Sequence, residues 1–468
     1  MDISQQVATE GNLQGFGQHS AQQVEDLQKA LSIGQNYGTT APNALAGGSA
    51  LSVENLDRTL KIVTHSLEHL KLWKDIKRDP TTQTVTEYNV QNSYGQEVSP
   101  FFAMGGTPTG TDANYERDFA QVKYLGTLGA VQHNLTLIQG AHGAVVAREV
   151  KNKTIELLSR NERAMFEADS SVQTLEYDGI EKQIRDKEQT AKYKATSFEG
   201  YEDDNESVIL DIRGGAFTED VAEDAALINV NNFGQAMDMY MATDVHSKFS
   251  RDFYSKQRTL PGATLTSGNR IKEHTGSLDF RYKPSLFNRP KKKPLAIAVS
   301  AQAAPTLANP LTPAHADSKF LVADAGDYSY RIAAVYDDGE TLASIATAAI
   351  AVVAGDEVTI EATFTGAPLY LNVYRAPKGT VADHLFIKRI AVGASAATIS
   401  IDKNFTIEGT AKAFLLMHDL DVLCWKQLGS MIKYDLAVVD TSYRWLQLLY
   451  GTPLVTAPRK NVIIENIA

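Results

Sequence analysis

Residues 81–125 hold two extended runs and very little apolar side chain to bury. In the first, Thr82, Thr84, Thr86 and Tyr88 alternate with Val85 and polar residues, the period of two that marks a strand. The second runs from Tyr115 to Leu125. Between them, Gly105-Gly106-Thr107-Pro108-Thr109-Gly110 has turn chemistry, because glycine reaches positive φ and proline fixes its own. The pattern predicts a long hairpin over 80–125. A lone hairpin is marginal in water. This one must lie on something else, and another copy of the chain is the obvious candidate. Its large side chains, Val85, Tyr88, Phe101, Phe102 and Phe119, are the expected contact residues.

The segments on either side differ in kind. Residues 1–50 are rich in Gln, Gly, Ala, Ser and Asn, a composition that cannot build its own core. Val53, Leu56, Leu60, Val63, Leu67 and Leu70 then recur at steps of three and four, which predicts a helix that Pro80 stops. A second, longer helix is expected over 142–167. Val146, Val150, Ile155, Leu157 and Leu158 give its apolar side, and Glu149–Lys153 and Glu156–Arg160 its ion pairs. Pro284, Pro290 and Pro294 around Lys291-Lys292-Lys293 read as a linker. Beyond it, 295–411 breaks into short alternating runs: Tyr328 to Tyr336, Val358 to Phe364, Leu369 to Arg375 and Leu385 to Val392. Runs of this kind predict a β-sandwich that folds on its own. From Phe414 the helical and buried-strand character of the main body returns, ending in Val462 to Ile467. The sandwich is therefore expected as an insertion.

Charge and chemistry narrow the function. The 468 residues suggest two or three domains, and the formal net charge is -11. A nucleic-acid reader is normally basic. An acidic protein that lies beside DNA without gripping it fits a container better. Residues 199–224 hold ten acids against the single base Arg213, and 270–293 hold eight bases against two acids. Two solvated loops explain this as well as contacts between copies do; on the second reading Arg213, Lys291, Lys292 and Lys293 are contact residues. The one cysteine, Cys424, sits in an apolar run, so no internal disulfide is possible and a packing role is expected. The polar N-terminus lacks the regions of a signal peptide, and no apolar run is long enough to span a bilayer, so a cytoplasmic product with no membrane partner is expected. No phosphate-binding glycine loop or nucleophile elbow occurs. His65 and His69 are four apart, but Ser66 stands where a metalloprotease has glutamate. No catalytic residue, metal ligand or cofactor site is expected.

Several stretches carry a resemblance. Tyr177-Asp178-Gly179-Ile180 follows the long helix, and Asp211-Ile212-Arg213-Gly214 and Ala236-Met237-Asp238-Met239-Tyr240-Met241 with Val245-His246 and Phe249 come later. Val373-Tyr374-Arg375 and Leu385-Phe386-Ile387-Lys388-Arg389 lie in the predicted sandwich. Tyr450-Gly451, Ala457-Pro458-Arg459-Lys460 and Val462 close the chain. In order and spacing, these resemble the major capsid proteins of large contractile-tailed phages. The resemblance implies an α+β fold of the Hong Kong 97 phage type with an immunoglobulin-like or fibronectin-like insertion. It names residues 1–79 an N-terminal arm with its helix, 80–125 an extended loop, and 126–204 a peripheral domain with a spine helix. Residues 205–290 become the first part of an axial domain, 291–411 the insertion, and 412–468 the return and C-terminal strand; the axial domain would also take in 412–450.

The resemblance further implies a homo-oligomer of pentamers and hexamers in an icosahedral head around double-stranded DNA, held without sequence-specific binding. Portal, scaffold and decoration proteins would be further partners. Such a protein is assembled in the host cytoplasm, resides in the virion and is no enzyme. Some relatives weld their shells through a lysine on the extended loop. No lysine occurs here between Asp79 and Val122, so that chemistry is not expected. The alternative is the shell of an encapsulin-like cellular nanocompartment, which holds cargo enzyme and no genome. A carbohydrate-binding adhesin would leave the hairpin and the long helix unexplained.

Overall fold

The structure is a computed structural model that describes residues 63–95, 101–138, 144–194, 207–254, 273–274, 276–288, 292–393, 397–437 and 440–468. Most of the helix expected over Val53 to Leu70 lies outside these residues. In the described part the path is not one helix. A single 3-10 turn at Leu67–His69 is followed by extended backbone at Leu70 (φ −80°, ψ 92°) and then by helix α1 (Lys71–Asp75). The buried carboxylate of Glu162 accepts the α1 amides of Leu72 at 2.8 Å and Trp73 at 2.6 Å. It satisfies donors that a helix start leaves without partners. Burial pushes the Glu162 pKa up to about 7, although the amides that face it pull the other way.

Strand β1 (Lys77–Pro80) leads into β2 (Val85–Ser93), which pairs antiparallel with β3 (Asn114–Gln121). The second arm of the expected hairpin is broken at Val122. Its remainder opens β4 (Lys123–Gln132), which leaves β2 and runs beside β21 (Ser442–Val455) for ten residue pairs. Val122 is 1% exposed and its amide donates to the Thr84 carbonyl, so it closes the ribbon before the chain changes sheets. Beyond a short helix α2 (His133–Leu137) comes the long helix α3 (Val145–Glu167), which packs on β4. Leu157, Leu158, Met165 and Phe166 are its buried side. Glu156 and Arg160 pair at 2.7 Å as expected, whereas Lys153 pairs with Glu156 at 2.7 Å and not with Glu149. The sheet is completed by β19 (Leu423–Gln427), between β1 and β21, and by β20 (Ile432–Asp435) on β21. Trp445 of β21 lies opposite Gly129, where a Cβ would come within 2.3 Å of the indole; glycine is needed there for close approach.

Helix α4 (Ile180–Lys187) leads towards a six-stranded sheet. Its order is β5 (Ile209–Asp211), β22 (Val462–Ile467), β18 (Ala411–Leu416), β6 (Asp238–Ala242), β8 (Phe280–Ser285) and β7 (Glu273–His274). Every residue of β6 and β22 is buried, as strands covered on both faces must be. Helix α5 (Glu219–Asn231) packs near β22, and α6 (Thr243–Tyr254) packs on β6 and β8. Phe166 of α3 meets Tyr240 and Phe414, joining the two sheets in one core. The return after Phe414 differs from the expectation. Among the described residues, 412–468 contain strands and one 3-10 turn but no α-helix, and of 412–450 only the stretch in β18 joins this sheet. The alternating burial of β21 gives the physical reason: its period is two.

Residues 292–410 hold two further sheets and a two-stranded pair. One sheet has the order β12 (Gly339–Glu340), β11 (Tyr330–Tyr336), β15 (Tyr370–Arg375), β16 (Leu385–Ile390). The other has the order β17 (Ala397–Asp402), β14 (Val358–Thr363), β9 (Thr306–Leu311). Strands β10 (Gly326–Tyr328) and β13 (Ile350–Val352) pair separately. Ile332, Val358, Ile360, Leu371, Val373 and Ile401 form a core distinct from that of the body. Beyond β12, the edge of β11 is closed by residues 341–347. The amides of Thr341, Ser344 and Thr347 donate to β11 carbonyls. In return the hydroxyls of Thr341, Ser344 and Thr347 accept the β11 amides of Ala334, Ile332 and Tyr330 at 3.1, 2.9 and 3.0 Å. A period of three replaces the ladder of a strand, so this edge offers no second row of backbone groups to a neighbouring sheet.

The ribbon of β2 and β3 is seated on its own chain through one face. Tyr88 stands directly opposite Asp118 and donates to it at 2.8 Å. The Tyr193 hydroxyl also donates to Asp118 and lies 2.8 Å from that of Tyr88. Lys187 and Lys192 sit 3.3 and 3.7 Å from the same carboxylate. Burial alone would raise the Asp118 pKa, but the two phenols and the Lys187 ammonium hold it well below the usual carboxylate range.

Two tests follow from these contacts. Ser344→Ala leaves the buried Ile332 amide without its hydroxyl acceptor, and stability falls by about 1–3 kcal/mol. A urea titration should show a lower midpoint at an unchanged slope. Asp118→Asn weakens the ribbon seat, and amide exchange in β2 speeds up about tenfold at neutral pH. Because the folded pKa of Asp118 is depressed, its contribution is present above the unfolded value near ~4 and is lost as pH falls below it. Protection of β2 that is already lost at pH 6 would contradict this assignment.

Candidate interface surfaces

The structure sorts the expected contact residues into two groups. Val85 and Phe119 lie on the ribbon face turned away from the seat and are 44% and 65% exposed. Tyr115 of β3 is exposed as well. At the ribbon tip Phe101, Phe102 and Met104 are exposed, with Phe101 at 88%. Tyr88 belongs to the opposite face and is taken up by the seat. Four of the five ribbon residues are thus on the open surface and the fifth is an internal anchor.

The charged candidates are placed differently. Arg213, in the left-handed region (φ 52°), donates to the Lys319 carbonyl at 2.8 Å and pairs with Asp324 of the sandwich. Lys292 pairs with Glu340 at 2.6 Å, and Lys293 with Asp383 at 3.3 Å. Lys291 lies outside the described residues. The other described bases of that stretch also have partners in the chain: Arg281 meets Asp238 at 2.9 Å, and Lys283 meets Asp75 and Asp238 at 2.8 and 2.9 Å. These five bases of the two charged stretches thus meet carboxylates of their own chain. Arg213 ties the body to the sandwich, Lys283 ties α1 to the six-stranded sheet, and Lys292 and Lys293 pair within the inserted segment.

Sequence reasoning missed the seat itself. Lys187, Lys192 and Tyr193 are about a hundred residues from Tyr88, and nothing in their spacing announces the contact. The Tyr88–Asp118 register was the available signal, since an aromatic–acid pair on one hairpin face marks a polar anchor. Among the described residues no group of His, Cys, Asp and Glu could hold a metal ion, and no helix is long and apolar enough to cross a membrane. Cys424 is buried, and burial pushes its thiol up to about 11. His65 and His69 do not share a continuous helix, because Ser66 to Leu70 is interrupted.

A two-stranded ribbon, a long helix across a sheet, a second sheet with the C-terminal strand inside it, and an inserted sandwich are the parts that the resemblance implied. Comparison with known proteins agrees along the whole chain. No protein-family model matches it. The major capsid protein of Staphylococcus phage S25-3 is 25% identical over 493 aligned positions, covering 98% of both chains. That of Staphylococcus phage K is also 25% identical, again over 98% of each. Among solved structures, the capsid protein of a native GTA particle covers 91% of this chain and 99% of its own, with a TM-score of 0.47 at 9% identity. Aligned from end to end with proteins of one kind, the chain is similar throughout to phage major capsid proteins, which supports its reading as a phage head shell protein.

Proposed function

We propose that copies of the chain assemble into the pentamers and hexamers of a closed icosahedral head enclosing the double-stranded DNA of a large contractile-tailed phage. The ribbon carries this reading. One of its faces is seated on its own chain by a polar cluster, and its other face and tip expose Val85, Tyr115, Phe119, Phe101, Phe102 and Met104. An exposed apolar surface on a projecting ribbon is what an interaction with a neighbouring copy needs. The ribbon has no lysine between Asp79 and Val122, so overlap without covalent welding stabilises the shell. The chain acts as a structural subunit and not as an enzyme. It resides in the virion, is assembled in the host cytoplasm, and works with portal, scaffold and decoration proteins.

The DNA is enclosed without being gripped. The chain has a net charge of -11, and the described bases between 281 and 293 already face carboxylates within the chain. Binding through phosphates weakens steeply with salt. The competing reading is a nanocompartment of the same fold. Relatives that are phage proteins favour the head.

Electron micrographs of the purified chain should show closed shells of uniform size, and particles from infected cells should protect double-stranded DNA from nuclease. Particles filled with cargo protein and free of DNA would favour the nanocompartment. Isolated capsomers should bind DNA weakly and lose it near physiological salt. Submicromolar binding that survives physiological salt and disappears when Lys291, Lys292 and Lys293 become Gln would overturn the account of the lumen.

A further inference from the structure

Helix α5 ends in a turn with an unusual residue. The Phe233 amide donates to the Val230 carbonyl at 2.9 Å, and the Gly234 amide to the Asn229 carbonyl at 2.8 Å. Phe233 itself is in the left-handed region, with φ 59°. Helix ends of this kind usually place glycine or asparagine there, because a Cβ crowds the backbone. The neighbouring glycine is already committed. A Cβ on Gly234 would lie 2.5 Å from the Asn229 side chain. That side chain is buried, donates to the Lys460 carbonyl at 2.8 Å and accepts from the Ala236 amide at 3.2 Å. The turn therefore requires a left-handed residue at 233, but nothing in it requires an aromatic ring.

Nor does packing offset the strain. Phe233 is 52% exposed. Leu227 and Val230, each three residues before the next, lead up to it along the helix end, at 48% and 39% exposure, and Met237 beyond it is 51% exposed. Four large apolar side chains are exposed along one short stretch of sequence, and none belongs to the buried cores. Earlier on the same helix Asp224 is exposed as well. A strained, exposed aromatic inside an apolar ridge is destabilising in the isolated chain and favourable only where something covers it.

We infer that this ridge, from Asp224 through Leu227, Val230 and Phe233 to Met237, docks a second copy of the chain through the flank of its helix α6. The inference rests on the reading of the chain as a shell subunit. Charge identifies the occupant. The ridge is acidic at one end and apolar at the other, so its partner must present cations beside apolar surface. Helix α6 exposes Lys248 and Arg251 one turn apart, with the exposed Asp252 following them. Strand β8, on which α6 packs, runs out into Leu286, which is 44% exposed. A surface whose complement lies elsewhere on the same chain makes a head-to-tail contact, and such contacts form rings where the rotation between copies closes.

The test uses the full-length chain, with the concentration for half-maximal assembly read by sedimentation and the melting point by calorimetry. Phe233→Gly relieves the backbone, so its melting point should equal or exceed that of the parent, while assembly should need at least tenfold more protein. Asp224→Lys should impair assembly similarly, and combining it with Lys248→Glu and Arg251→Glu should restore it. Assembly of Phe233→Gly at the parental concentration would overturn the proposal, as would a triple variant no better than Asp224→Lys alone. If the parent assembles while all variants match it, only this surface is wrong. If the parent forms no assemblies at all, the shell reading falls with it.

Discussion

Strand β6 makes the insertion of a whole domain compatible with an intact sheet. It lies between β8, which runs parallel to it, and β18, which runs antiparallel. Ser285 at the end of β8 pairs with Ala242, and Ala413 near the start of β18 pairs with Met241. The chain therefore leaves and rejoins the sheet at the same end of β6, on either side of it, two strand spacings or about 10 Å apart. Asn288 ties the two points together, donating to the Tyr240 carbonyl at 3.3 Å and the Lys412 carbonyl at 3.0 Å. More than a hundred residues can be added across that gap without moving any of the three strands.

Polar contacts then fix how the insert stands on the body. Arg389 of β16 pairs with Glu176 at 3.0 Å and donates to the Glu167 carbonyl at the end of α3. Arg213 reaches Asp324 and the Lys319 carbonyl. Asn466, held left-handed (φ 55°) in β22, accepts the Ile407 amide at 2.9 Å and donates to Asp211 at 2.7 Å and to the Phe405 carbonyl at 3.1 Å. Inside the insert, Arg375 is almost fully buried, bonded to Asp402 and Asn404 at 2.6 and 2.9 Å and to Glu408. Removing one partner from such a set leaves a buried charge uncompensated, typically at ~3–5 kcal/mol, so these groups select one orientation more than they add stability. The separate core of the sandwich is consistent with independent folding, whereas its orientation depends on the body.

What the sequence shows plainly is what local periodicity can encode. The α3 helix and the strands around 330–336, 358–363, 370–375 and 385–390 lie within about three residues of their expected places, because each is one regular pattern. The break at Val122 was not legible, since β4 takes its partner from β21, more than three hundred residues later. Residues 341–347 were illegible for another reason. Thr341, Ser344 and Thr347 repeat every three residues, a period belonging to neither helix nor strand, and their meaning appears only against β11. The partners of the charge blocks were not legible because composition reports a segment's sign but not what it meets; Lys283 meets Asp75, more than two hundred residues away. Phe233 carries no sign in one dimension, because its left-handed backbone is set by the turn that closes α5.

These placements bear on how identical acidic chains can associate at all. With most described bases of 281–293 neutralised internally, little positive surface from that stretch remains to offset a net charge of -11 between copies. At physiological salt, exposed charges more than ~8 Å apart are largely screened, so long-range repulsion between copies is modest and contact chemistry decides. The exposed apolar groups of the ribbon and of α5 meet that requirement. Meanwhile the hydroxyl-capped edge of β11 keeps the sandwich from joining its neighbours through backbone pairing. A chain that must meet many copies of itself in one geometry needs both features: surfaces that favour the intended contact, and edges that give no foothold to the others.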